Sequence, residues 1–262
     1  MRITITLTSD FGLKDPYVAE MKGVILRINP NATIVDITHQ IGKFDVRAAA
    51  FALASAAPYF PDGTVHLAVA DPRVGTERRA IVVQTKRGFF VGPDNGILVL
   101  AAQSQGIEHA YLLANPKFMM PRVSGTFHGR DIFAPAAAFL DKGIQPAEFG
   151  SEVKEPIAPE FAKVKFSSGL LTGEVLDVDG FGNVITNINE KDLFFGEGKE
   201  FDVELAIAKL KIPFRKTYAQ VKPKEPIILI GSHGFLEIAL NQGSAAEKFN
   251  LKAGDKIKVK VA

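Results

Sequence analysis

The chain has 262 residues, a formal net charge of +2, 47% hydrophobic residues and no cysteine. Disulfides, thiolate catalysis and cysteine-ligated metals are thereby excluded, and so small a net charge, carried by dispersed Lys and Arg, argues against a nucleic-acid surface. The apolar runs stay well below the roughly 18 residues that span a bilayer, and the first residues alternate like a strand without the apolar centre of a signal peptide. A cytoplasmic globular protein of one large or two smaller domains is expected.

Residues 3–8 predict a strand and 16–28 a helix whose first turn suits Pro16. A second strand is expected at 33–37, an Ala-rich helix at 46–57, and strands at 65–70, 80–84 and 88–91. Residues 96–104 suit a short helix, 110–113 a strand, and 131–140 a helix in which Pro135 is tolerated near the start. This alternation implies an α/β fold: an amino-terminal, largely parallel sheet flanked by helices, with sites at the carboxyl ends of its strands. The pattern then changes to short β-rich segments at 171–178, 184–188, 200–207, 226–230, 235–240 and 256–261, which predict a smaller antiparallel β-barrel or sandwich. The expected organisation is an α/β domain over 1–150, a linker over 151–168 and a β-rich domain over 169–262.

Two stretches concentrate charge on glycine- or proline-punctuated turns: Ala70-Asp71-Pro72-Arg73-Val74-Gly75-Thr76-Glu77-Arg78-Arg79 and Thr126-Phe127-His128-Gly129-Arg130-Asp131. Such turns at strand ends are where α/β proteins build sites. Asp-Pro is also a common turn opener, and a lone histidine is more often structural than catalytic. Arg78 follows Asp71 by seven positions, however, with Gly75 between them, so one loop can fold the two side chains together. An Asp paired with Arg stays ionised and immobile, which suits an orienting role. Arg79 reads as an outward, solvated charge, and Arg130 with Asp131 as helix-pinning groups.

Thr8-Ser9-Asp10-Phe11-Gly12 lies at the exit of the first strand, where Asp10 either turns the chain or accepts hydrogen bonds from ligand hydroxyls. Gly92-Pro93-Asp94-Asn95-Gly96 reads first as the turn before a helix. Asp179-Gly180-Phe181-Gly182-Asn183 pairs an aromatic ring with an amide, groups suited to stacking on a purine and reading its edge. Gly231-Ser232-His233-Gly234-Phe235 is a further glycine-framed turn. The dinucleotide, P-loop and Gly-x-Ser-x-Gly fingerprints are absent, and the five histidines show no His-x-x-x-His spacing.

In order, Leu7 to Gly12, Asp36-Ile37-Thr38-His39, Asp71-Pro72 with Gly75-Thr76-x-Arg78-Arg79, Gly92 to Gly96, Thr126 to Asp131, Phe181-Gly182-Asn183 and Ser232-x-Gly234 resemble the S-adenosylmethionine hydrolases (hydroxide adenosyltransferases). These are relatives of the enzymes that make 5′-fluoro- and 5′-chloro-adenosine. The resemblance runs along nearly the whole chain, and its specificity lies in the ordered set.

It implies hydrolysis of S-adenosyl-L-methionine to adenosine and L-methionine, with no cofactor and no metal. It also implies a homotrimer whose small-molecule substrate lies between the amino-terminal domain of one subunit and the adenine-binding carboxy-terminal domain of its neighbour. Asp71, Arg78 and His128 become the water-activating set, and Asp10 the partner of the ribose hydroxyls. Phe44 and Phe127 line the ribosyl and sulfonium pocket, and Phe181 and Asn183 hold adenine. Asp15, Tyr17, Asp179 and Ser232 match positions at the methionine end. The fluorinating relatives carry Tyr-Pro at Asp71-Pro72 and Tyr-Ser at His128-Gly129, and the hydroxyl of that Ser contacts halide, which Gly129 cannot do.

The reaction so implied is an in-line displacement at C5′ by a fixed water or hydroxide, with neutral methionine sulfur leaving. Arg78 favours hydroxide character, His128 has the unperturbed pKa for a proton acceptor, and Asp71 holds both in register. Which of the three takes the proton is open at this level. Three rivals stand beside this reading: a 5′-halogenase on the same scaffold, a metal-dependent hydrolase built from Asp10, Asp71, His128 and Asp131, and a non-catalytic adenosine-binding protein.

Overall fold

A computed structural model describes residues 4–193, 198–205 and 207–260. Ile3, Ala206 and Val261, expected inside strands, lie outside the described residues. The chain forms two compact units, Met1–Ala158 and Pro159–Ala262.

The first unit is built on strands β1 (Thr4–Ser9), β2 (Thr33–Thr38), β3 (Thr64–Val69), β4 (Ala80–Thr85), β5 (Gly88–Pro93) and β6 (Ile107–Leu112). They form one sheet in the order β2-β1-β3-β5-β4-β6. The β1–β2, β1–β3 and β3–β5 pairs are parallel, whereas β4 runs antiparallel to both β5 and β6. Strand β4 turns back because only residues 86 and 87 separate it from β5, too few for a parallel crossover.

Helices α1 (Tyr17–Ile28), α2 (Val46–Ala56), α3 (Val99–Ser104) and α4 (Ala134–Asp141) accompany the sheet. Ile5, Leu7, Val65, Leu67 and Val69 join Met21, Val24 and Ile25 of α1 and the alanines of α4 in one core cluster. Strand alternation sends Thr6, Thr8 and His66 to the other face, where α2 contacts β1, β2 and β3. Central strand β3 is buried along its whole length, as a strand covered on both faces must be. Pro16 takes the N-cap position of α1 and Pro135 falls in the first turn of α4, the places where a missing N–H costs no helical bond. Ahead of α4, Gly129–Phe133 forms a π-helical turn, a feature that concentrates at functional sites.

The second unit holds β7 (Lys165–Ser167), β8 (Leu170–Val178), β9 (Val184–Asn189), β10 (Glu200–Glu204), β11 (Lys209–Pro213), β12 (Pro226–Ile230), β13 (Phe235–Leu240) and β14 (Lys256–Lys260). Every strand pair in it is antiparallel, in the order β11-β10-β14-β8-β9-β13-β12 with β7 beside β8. The bridge between Phe214 and Ile228 brings the two end strands together, so the sheet is a nearly closed barrel. Its interior is aliphatic and aromatic, including Leu171, Val175, Phe201, Ile238 and Val259. Among the described residues no helix is long and apolar enough to cross a membrane.

Candidate active site

The carboxyl ends of β1 and β3 open onto a cavity of about 280 Å³ in the first unit. Its wall comprises Asp10, Phe11, Tyr17, Lys43, Phe44, Val69, Asp71, Val74, Thr126, Phe127, His128 and Gly129. A crevice at the carboxyl ends of parallel strands is the expected location for ligand in a sheet of this type.

Asp71, Arg78 and His128 form a continuous hydrogen-bonded chain along one part of this wall. Arg78 Nε donates to Asp71 Oδ2 at 2.8 Å, and Arg78 Nη2 lies 2.6 Å from the same oxygen. Nη2 also donates to His128 Nδ1 at 2.7 Å. The Asp71 and Arg78 side chains are only 5% and 4% exposed, and the guanidinium stands 5.2 Å from the centre of the Phe133 ring. A paired, buried charge of this kind is held in one geometry by both hydrogen bonds and packing. Among the described residues, Asp71 Oδ1 carries only the 3.3 Å contact from the Arg73 backbone N–H.

An arginine has donors and no acceptor, so Nδ1 of His128 must be its unprotonated nitrogen and Nε2 carries the proton. Burial pushes the His128 pKa below its ordinary value and the Arg78 charge adds to this, against opposing contributions from Asp71, Asp131 and a backbone hydrogen bond with Ser124. The imidazole is therefore kept neutral.

Local backbone chemistry explains the meeting of two loops so distant in sequence. Gly75 has φ +77°, and a Cβ there would fall on the carbonyl oxygen of Gly125. Only glycine allows the 71–78 loop to press against the 124–128 loop at that point. Asp131, buried in the π-helical turn ahead of α4, accepts from the Ser124 backbone N–H at 2.8 Å and from Arg130 Nε at 2.7 Å. Burial opposes its charge, but the bonds from Arg130 and Ser124 prevail and its pKa lies below the usual carboxylate value. Arg130 continues to Glu20 of α1 at 2.8 Å, so Asp131 ties the His128 loop to both helices.

Asp10 is buried, and its Oδ2 accepts the Phe44 backbone N–H at 2.8 Å. Lys43, which the sequence reading passed over, donates through Nζ to the carbonyls of Asp10 at 2.7 Å and Phe11 at 3.1 Å. Phe44 holds a left-handed φ of 64°, rare for so bulky a residue, and remains largely exposed at the cavity. Strained backbone persists only where its surroundings fix it, here through the bond to Asp10. Phe11, Tyr17 and Phe127 form a mutual aromatic set with ring centres 5.1–5.7 Å apart. Asp15 is exposed in the turn before α1 and does not line the cavity.

Arg79 is exposed, as the outward charge expected of it, and it is also paired. It lies 2.5 Å from Asp94 Oδ2, a carboxylate that is itself 1% exposed, and it donates to the Glu155 carbonyl at 2.9 Å. Asp94 also receives the Ile157 N–H at 2.7 Å, so the pair clasps the 155–157 segment to the first sheet. Asn95 donates to the Ala70 carbonyl at 2.8 Å, bracing the residue before Asp71.

In the second unit, Asp179 Oδ1 accepts the N–H groups of Phe181 and Asn183 at 2.9 Å each, and Oδ2 accepts the Asn183 amide at 2.9 Å. The β8–β9 turn is thus rigid, with the Phe181 ring 83% exposed at its tip. Gly182, at φ +81°, packs where a Cβ would strike Ser244. Ser232 lies in the β12–β13 turn.

Residues 5–150 match the model of the SAM hydroxide adenosyltransferase N-terminal domain, and residues 173–258 match that of the C-terminal domain. The chain belongs to the SAM hydroxide adenosyltransferase family. It is 41% identical to the (R)-S-adenosyl-L-methionine hydrolase of Thermus thermophilus, with 94% of this chain and 95% of that one covered. It is 31% identical to the fluorinase of an Actinoplanes species, with 95% of each covered. The crystal structure of an uncharacterized conserved protein from Thermotoga maritima superposes with a TM-score of 0.87 at 40% identity, covering 98% of this chain and 99% of that one. The chain is thus more similar to the hydrolase than to the fluorinase.

Proposed function

We propose that this chain hydrolyses S-adenosyl-L-methionine to adenosine and L-methionine, by attack of water on the ribose C5′ in line with the departing sulfur. The observation that carries the reading is the Asp71–Arg78–His128 chain, its Asp71–Arg78 pair buried and Arg78 bridging Asp71 to His128, on the wall of a cavity that also presents Asp10 and an aromatic set. Aromatic faces suit a sulfonium cation, and Asp10 suits paired ribose hydroxyls.

The water oxygen forms a bond to C5′ as the C5′–S pair returns to sulfur, giving a neutral thioether and a protonated 5′-hydroxyl. That oxonium is strongly acidic, so even an arginine-paired carboxylate can take its proton and pass it to solvent. Asp71 Oδ1, with a single 3.3 Å backbone contact, has lone pairs for this. His128 has no free basic nitrogen: Nδ1 is occupied by Arg78, and Nε2 carries the proton. The acceptor role thus falls to Asp71, and His128 becomes a positioning group. Arg78 fixes the two relative to each other.

The halogenase alternative is disfavoured by Gly129, which has no hydroxyl and whose added Cβ would lie 3.1 Å from the Phe127 ring and 3.3 Å from the Met21 sulfur. The proposal includes action without metal or other cofactor, a cytoplasmic location and a homotrimer, with Phe181, Asn183, Asp179 and Ser232 serving the adenosine and methionine portions. Light scattering checks the assembly directly.

The test is turnover of S-adenosyl-L-methionine by Asp71→Ala and His128→Ala beside binding of adenosine. Each variant is expected to lose roughly 10²-fold or more in kcat while adenosine affinity stays within about two-fold. Equal loss of both quantities would assign these residues to binding or folding instead.

A further inference from the structure

Behind the Asp10 turn lies an Asp–His–Ser arrangement that the proposed reaction does not use. Ser9, at the end of β1, and His39, just past β2, are both buried, and Ser9 Oγ lies 2.7 Å from His39 Nδ1. His39 Nε2 stands 3.2 Å from Asp36 Oδ1 without a linear hydrogen bond, and Asp36 Oδ2 accepts from Lys22 Nζ of α1 at 2.6 Å. Ser9 Oγ accepts the Phe11 backbone N–H at 3.3 Å, and the His39 carbonyl accepts the Gly12 N–H at 2.7 Å.

The polarity of this chain is fixed. Asp36 attracts the His39 proton to Nε2, Nδ1 then accepts from the Ser9 hydroxyl, and the Ser9 oxygen is turned to receive Phe11 N–H. Ser9 does not line the cavity and its hydroxyl is already committed, so the arrangement is not a nucleophilic triad. What it does hold is backbone: residues 9–12 are gripped by His39 through both ring and carbonyl, while Lys43 and Phe44 grip Asp10 and Phe11 by other atoms. Asp10 is the one carboxylate on that turn.

We propose that His39 is a positioning residue, which fixes the Asp10 carboxylate through Ser9 and so sets the enzyme's preference for a ribose bearing its hydroxyls. The proposal rests on the reading of Asp10 as the ribose-holding group. It predicts that His39 matters in proportion to what Asp10 contacts, and that a ligand lacking those hydroxyls does not sense the change.

The experiment measures the affinities of adenosine and 2′,3′-dideoxyadenosine for the full-length wild type and for His39→Ala, His39→Asn, Asp36→Asn and Asp10→Ala, with melting temperature recorded for each. His39→Ala is expected to weaken adenosine about ten-fold, the worth of one charge-assisted contact, and to leave dideoxyadenosine within two-fold. His39→Asn, whose amide oxygen can still accept from Ser9, should recover part of the loss, and Asp36→Asn should fall between wild type and His39→Ala. If the His39 and Asp36 variants lower both nucleosides equally, or neither, the positioning role is wrong. Should Asp10→Ala erase the preference while the His39 variants do not, the proposal alone falls. An Asp10→Ala variant that keeps the preference removes the ribose reading and the proposal with it.

Discussion

Replacing Arg78 by Lys keeps the positive charge and removes the fork. The guanidinium makes two contacts with Asp71 Oδ2, at 2.8 and 2.6 Å, and one with His128 Nδ1 at 2.7 Å. Nη2 alone reaches both Asp71 Oδ2 and His128 Nδ1; the lysine side chain is shorter by about one bond, so its ammonium cannot take the Nη2 position and meets Asp71 or His128, not both. Coulomb attraction selects Asp71, so the His128 contact is lost and the ring is free to rotate. A hydrogen bond to a charged group contributes about 1.5–3 kcal/mol, and each 1.4 kcal/mol is ten-fold in rate. A kcat about 10–10² times lower is therefore expected, with KM little changed and the melting temperature lowered only slightly, because Asp71 keeps a partner. Arg78→Met should be worse on both counts, since it strands the buried Asp71 charge, at a cost of about 3–5 kcal/mol. The assay is chromatographic release of adenosine at saturating substrate, beside a thermal melt. A Lys variant of wild-type kcat would refute the claim that the bridging geometry, rather than the charge alone, prepares the nucleophile.

The neutral state of His128 sets an acid limit: protonation at Nδ1 would break the Arg78 bond, and because its pKa is lowered, kcat should decline only below the ordinary histidine range as pH falls, which a pH–rate profile checks. In Gly75→Ala, the loop carrying Arg78 must withdraw from Gly125; misplacement of this size costs about 10²-fold in kcat, and unchanged activity would show that the two loops do not need that contact. His66, buried against Phe90 and bonded to Thr6 Oγ1 at 2.8 Å, has its pKa lowered from 6.5 to about 4. The unfolded chain binds that proton at higher pH, so stability falls as pH drops from about 6.5 toward 4. About 2.5 units at about 1.4 kcal/mol each gives about 3 kcal/mol, to be read from denaturant melts of wild type and His66→Leu across that range.

Elements with strong periodicity were legible in the sequence: β1, α1, α2, β12 and β13 lie within a residue or so of their expected positions. What escaped were elements whose local signal is weak. Strand β11, Lys-Leu-Lys-Ile-Pro, reads as a lysine-rich connection until β10 supplies its partner, and three-residue β7 gains its hydrogen bonds only from β8. Helix α5 (Ala245–Phe249) is one short turn, announced by the Ser244 cap. The residues brought together by Gly75 were visible as types on two loops, but the direction of the bond between Arg78 and His128 was not. In the proposed mechanism that direction gives the proton-acceptor role to Asp71. Arg79 is exposed as its sequence suggests, but its ion pair was not visible, because its partner Asp94 is 15 residues away on another turn. Lys43 gave no signal at all, since it acts on backbone carbonyls that only the folded β2–α2 loop brings within reach.

The most direct measurement is incubation of the purified protein with S-adenosyl-L-methionine in ¹⁸O water, with EDTA present and halide absent, followed by mass spectrometry of the products. The account predicts methionine and adenosine in equal amounts, with one ¹⁸O in the adenosine 5′-hydroxyl. Turnover that requires added metal, or that appears only with chloride and yields 5′-chloro-adenosine, would contradict it.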